Sequence, residues 1–95
     1  MRIAVARAAG RDLKAIARYT EKQWGAARRQ RYLAALRDQF AALLRHPALG
    51  APREDVAAGY RALAVGRHII FYRVAGEEIV IVRVLHQRMD VRLHF

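Results

Sequence analysis

The hydrophobic period of this chain changes once, at Gly59, and that change constrains the fold more than any single motif. From Ala9 to Arg45 apolar side chains recur every three to four residues, and beyond Gly59 every second residue. From about Ala9 the positions Leu13, Ile16, Ala17, Thr20 and Trp24 trace one face of a helix, with Asp12, Lys14, Arg18, Glu21 and Lys22 elsewhere on the cylinder and Gly25 as its stop. A longer stretch, Ala27 to Arg45, gathers Leu33, Leu36, Phe40, Leu43 and Leu44, and Pro47 ends it because proline lacks the amide donor. The pair predicts an αα-hairpin. Residues 47–59 hold both prolines and no sustained period, which predicts a loop. Then Tyr60–Val65, His68–Val74 and Ile79–Leu85 read as three strands joined by hairpin turns at Gly66-Arg67 and Ala75–Glu78. The opening Arg2–Ala6 reads as a short strand at an edge or end. In 95 residues neither half can hide its own apolar face, so residues 1–95 form one domain. The fold class is α+β: an N-terminal short strand, then an antiparallel helical hairpin packed on a three- to four-stranded antiparallel sheet.

Strict alternation puts apolar residues on both faces of that sheet. Ile69, Phe71 and Arg73 oppose His68, Ile70, Tyr72 and Val74, while Ile79, Ile81 and Arg83 oppose Val80, Val82 and Val84. An antiparallel sheet this small ordinarily leaves one face to water. The second face therefore calls for a cover, either a partner or the ends of the same chain. Trp24, beside the helix turn, is expected to pack in the core.

Charge supplies the first clue to function. Eighteen lysines and arginines face eight acids, a net charge of +10, and sixteen of the eighteen are arginine. Residues 1–46 carry eleven basic and three acidic side chains, against seven and five in the remainder. Such a surface suits acidic protein or nucleic acid, and the sign alone does not choose. No apolar run approaches the roughly 20 residues of a membrane span, and Met1–Gly10 lacks a secretory core, so no membrane role and a cytoplasmic location are expected. The absence of cysteine removes thiolate catalysis and cysteine-ligated zinc. His46, His68, His86 and His94 form no metal-binding helix motif, no phosphate-binding glycine loop is present, and no cofactor is expected. One catalytic design is physically possible: a metal-free ribonuclease with Arg53, Arg61, Arg67, Arg73 and Arg83 supplying charge and His68 or His86 moving protons. The alternative gives these arginines to a partner's carboxylates and the histidines to the strand ends.

The residues Asp12-Leu13, Ile16, Tyr19, Trp24-Gly25, Tyr32, Leu36, Phe40, Pro47, Gly50 and Gly59-Tyr60-Arg61 precede two longer segments, Gly66 to Arg73 (GRHIIFYR) and Ile79 to Asp90 (IVIVRVLHQRMD). Together they resemble the ParE branch of the RelE/ParE toxins of type II toxin-antitoxin pairs, over nearly the whole chain. The resemblance implies a toxin that arrests growth by inhibiting DNA gyrase and is neutralised by direct binding of a ParD-like antitoxin, with operator DNA engaged only indirectly through that antitoxin. The alternatives it leaves are a RelE-like ribosome-dependent mRNA endonuclease and a decayed toxin that serves only as antitoxin partner. The nuclease pattern is incomplete, since lysine occurs only at Lys14 and Lys22 and no tyrosine follows Leu85; no catalytic residue is assigned. For the antitoxin the resemblance implies Tyr19, Tyr32 and Leu36 in a helical groove, Arg28, Arg31 and Arg37 beside it, and Phe71, Arg73, Ile81 and Arg83 on the sheet. For the target it implies Arg61, Arg83, His86, Arg88 and Met89, with the tail to Phe95 either joining them or covering an apolar patch.

Overall fold

The computed structural model describes residues 1–95 and runs β1 (Arg2–Val5), α1 (Arg7–Trp24), α2 (Ala26–Arg45), β2 (Ala51–Pro52), β3 (Arg61–Val65), β4 (His68–Ala75) and β5 (Glu78–His86). A 3₁₀ turn at Val91–Leu93 closes the chain. The strands make one sheet in the order β1-β5-β4-β3-β2. Its centre is the expected antiparallel meander, with Leu63 opposite Ile70 and Ile70 opposite Val84. β1 adds at one edge, parallel to β5, with Ile3 beside Ile79. β2, inside the segment expected to be an irregular loop, contributes two residues to the other edge, where Pro52 costs the sheet no interior hydrogen bond. No helix is long and apolar enough to cross a membrane.

The helical hairpin covers one face of the sheet. Leu36, Phe40 and Leu43, spaced along one side of α2, meet Ala9 and Ile16 of α1 and Ile70, Tyr72, Ile79, Ile81 and Val84 of the sheet in a single buried cluster. Between the helices Gly25 takes φ +90°, a conformation that side-chain-bearing residues rarely adopt, and reverses the chain in one residue. The Tyr72 hydroxyl ties the following loop to this core, donating to the Pro47 carbonyl at 2.7 Å and accepting from the Gly50 amide at 2.8 Å.

Two differences from the alternating pattern matter for the site. A β-bulge interrupts the β4–β5 ladder: Phe71 pairs with Arg83 and Tyr72 with Ile81, which leaves Val82 unmatched. The extra residue resets the alternation, so Val84 joins Ile79 and Ile81 beneath the helices where strict period two would have put Arg83. The second difference concerns the far face. Phe71 and Leu85 are buried there, outside the main cluster. Phe71 is covered by the chain's own end, because the Phe95 ring stands edge-on to Phe71 at 5.2 Å and to Tyr60 at 5.8 Å. The tail thus covers the apolar patch as a 3₁₀ turn and adds no strand. Val74, farther along the sheet, stays exposed.

Candidate functional site

Three places bring the functional side chains together, and each follows from the local chain. The first is a cleft of about 440 Å³ where the tip of the helical hairpin overhangs one end of the sheet. The last turns of α1 carry Tyr19 and Trp24 to its mouth, the first turns of α2 add Arg28 and Tyr32, the β3–β4 turn adds Arg67, and the paired positions His68 and His86 form its floor. Trp24 is 61% exposed and Tyr19 64%. The Arg28 guanidinium lies 4.9 Å from the centre of the Trp24 ring, a cation–π arrangement. The expected core role of Trp24 is therefore overturned: α1 outlasts the sheet beneath it, and its final turn projects into water.

Tyr32 holds the floor of the cleft in place. Its hydroxyl lies 2.5 Å from His68 Nδ1 and 3.1 Å from the Val65 carbonyl, and it accepts the Arg67 amide at 3.2 Å. A His68 ring protonated on Nδ1 completes this set, donating to the phenol while the phenol donates to Val65. Gly66 makes the fit, since a Cβ on its backbone would lie 2.7 Å from a Tyr32 ring carbon and its φ of +57° suits the first central position of a tight hairpin turn. His68 and His86 meet edge to face at 5.3 Å. His86 Nδ1 accepts the Arg88 amide at 3.1 Å, so the neutral His86 ring carries its proton on Nε2. Burial, then the neighbouring charge of His86, pushes the His68 pKa below its ordinary value, with Asp12 partly opposing. Burial raises Tyr32, opposed by the hydrogen bond and charge of Arg67.

The second place fastens α1 to β5. Arg83 grips Asp12 with two hydrogen bonds of 2.8 and 2.9 Å and donates a third, 2.9 Å, to the His94 carbonyl. Asp12 also accepts the Val84 amide at 3.0 Å. Both side chains are largely shielded from water, and the Asp12 hydrogen bond raises the Arg83 pKa. The charge expected to meet a partner is instead closed on itself, in the bidentate geometry that makes such pairs strong. The third place is the tail face, where the Arg53 guanidinium sits 5.5 Å from the Phe71 ring and Asp90 caps the terminal turn through the Arg92 amide.

Of the residues expected to meet an antitoxin, Tyr19, Arg28, Arg31, Arg37 and Arg73 are exposed. Leu36 and Ile81 are interior, locked between helices and sheet, and Phe71 lies beneath the tail, so none of the three offers a surface on the folded chain. Tyr32 and Arg83 serve internal networks. Of the residues expected to meet the target, Arg88 and Met89 are exposed and His86 lines the cleft. Arg61 clamps the loop by donating to the Gly50 carbonyl at 2.6 Å and the Ala48 carbonyl at 3.3 Å. Asp12 was the legible omission. It stands three residues after Ala9 and four before Ile16, on the buried stripe of α1, where a carboxylate requires a cation.

Comparison with known proteins agrees with this architecture. The chain is 41% identical to Toxin ParE1 of Caulobacter vibrioides over 90 residues, 95% of this chain and 93% of that one. Its fold superposes on the chromosomal ParDE toxin-antitoxin system from P. aeruginosa with a TM-score of 0.78 at 26% identity, covering 90% of this chain and 95% of that chain. A second match is the toxin-antitoxin complex RelBE2 of Mycobacterium tuberculosis, at a TM-score of 0.67 and 27% identity, with 90% and 95% covered. A family model described as the ParE toxin of the type II toxin-antitoxin system parDE matches residues 3–91, and with nearly the whole fold accounted for, the chain belongs to the ParE toxins, the toxin components of type II toxin-antitoxin modules.

Proposed function

We propose that this toxin acts in the cytoplasm by inhibiting DNA gyrase and is neutralised by a ParD-like antitoxin bound to its surface. The observation that carries the choice over RNA cleavage is the internal commitment of Arg61 and Arg83, whose guanidiniums close on loop carbonyls and on Asp12. A nuclease of the RelE kind needs several free cations on the sheet, whereas here Arg73 alone of Arg61, Arg73 and Arg83 is left open, and the chain lacks a tyrosine beyond Leu85. The exposed Arg88 and Met89, after the end of β5, are the proposed gyrase-facing residues together with His86.

The test is supercoiling of relaxed plasmid by purified gyrase and ATP, titrated with the folded protein and quenched with denaturant to trap cleaved DNA. Loss of supercoiling with accumulation of linear DNA is expected. No effect on gyrase, with cleavage of ribosome-bound mRNA instead, would reverse the assignment. Because Phe95 packs on Phe71, deleting residues 89–95 would confound function with stability. The double substitution Arg88→Glu/Met89→Ala avoids this and should weaken inhibition about tenfold at unchanged melting temperature.

For the antitoxin, the exposed Arg31 and Arg37, outside the hairpin-tip cleft, support docking of an acidic segment along the hairpin, and Arg73 supports a second contact on the sheet. Arg31→Glu and Arg73→Glu should each raise the dissociation constant, mainly through slower association, by about tenfold at low salt. Unchanged binding of both folded variants to the cognate antitoxin would remove these positions from the interface.

A further inference from the structure

The hairpin-tip cleft has a composition that neither the helix packing nor the target-facing strand end requires. Its walls present the flat, water-exposed rings of Tyr19 and Trp24, and its guanidiniums Arg28 and Arg67 and the imidazole of His86 come from three separate parts of the chain. No acidic side chain lines it. Arg28 and Arg67 are exposed, and neither guanidinium is held in an ion pair. Tyr32 and Gly66 build the floor to close tolerance, so the arrangement is preorganised.

From this we infer that the cleft binds the nucleobase and phosphate of a single-stranded nucleic acid, with a base stacked on Trp24 or Tyr19 and its phosphate held by Arg67, Arg28 and His86. The chemistry favours a nucleotide over an acidic peptide. A peptide carboxylate is satisfied by one guanidinium, whereas here several donors surround two open aromatic faces, the combination by which proteins track a strand of repeating rings and phosphates. The net charge of +10 adds long-range attraction to the same ligand. The inference goes beyond gyrase inhibition and does not depend on it, and its test contains no gyrase.

Trp24, the only tryptophan in the chain, reports directly from the cleft. The folded protein is titrated at low salt with thymidine 5′-monophosphate, with an unphosphorylated oligothymidylate, and with inorganic phosphate, following tryptophan fluorescence. Saturable quenching by a nucleotide probe and none by phosphate alone is expected, and Arg67→Ala and His86→Ala should each weaken it about tenfold with the circular dichroism spectrum unchanged. Quenching by the monophosphate identifies a terminal phosphate as the preferred form of the ligand, and quenching by the oligonucleotide alone an internal one; both uphold the site. It is overturned by absence of saturable quenching with either nucleotide, by quenching indifferent to both substitutions, or by polyglutamate saturating the signal at lower concentration than the strand, which would make the cleft a peptide site.

Discussion

The two faces of the sheet are buried by different means. One lies under 38 residues of helix and shares a continuous core with them; the other is closed by a five-residue tail, a loop and a single ring. The first cover is written as a helical period and places whole side chains in contact. The second depends on one aromatic, Phe95, which is itself 45% exposed. Core strength and surface adaptability therefore reside on opposite sides of the same strands. Arg83 links the two covers, since its guanidinium holds Asp12 of α1 and the His94 carbonyl of the tail together.

That contrast can be broken or sharpened by substitution. The largest effect is expected on the helix-covered face, where Ile81→Ala should cost about 4 kcal/mol in denaturant unfolding because the cavity lies between two packed layers. Asp12→Ala should cost about 3 kcal/mol, since it leaves Arg83 and the Val84 amide without their acceptor. On the tail face Phe95→Ala should cost about 1 kcal/mol, the packing of a half-exposed ring. Equal losses for Ile81→Ala and Phe95→Ala would show that the tail is as much a part of the core as the helices.

The smallest effect is a pH dependence at the cleft. His68 is held neutral in the fold, with its pKa below the ordinary value of 6.5. The unfolded chain therefore takes up this proton first as pH falls. The stability associated with neutral His68 is full above about pH 6.5 and is lost progressively as pH drops toward the folded pKa. His68→Gln should flatten this part of the stability profile between neutral and mildly acidic pH. An unchanged slope would assign it to other groups.

The elements were legible because their periods are long and distinct, and their boundaries fall within two residues of those read from the sequence. The bulge was not, because a run such as Ile79–Leu85 carries no mark where one residue is looped out, and that single slip relocated Arg83 and with it a presumed docking face. Trp24 misled for a related reason: an indole at the last turn of a helix has the same spacing whether the sheet continues beneath it or ends. β2 is too short for any periodicity to register. The cleft was visible only in parts, since Tyr32, His68 and His86 are brought together by pairing between strands and helices that sequence spacing does not display.

The edge position of β1 has a consequence for how the toxin comes into being. Its only neighbour in the sheet is β5, and the Arg2–Glu78 contact spans 76 residues. At elongation rates of roughly 5 to 20 residues per second, on the order of ten seconds separate the synthesis of these two strands. Closure of this edge of the sheet must wait until β5 has been synthesised, and contacts of such long range fold slowly. Until β5 is made, the buried stripes of both helices lack Ile79, Ile81 and Val84, the residues that complete their shared core, so the fold is acquired only late in synthesis.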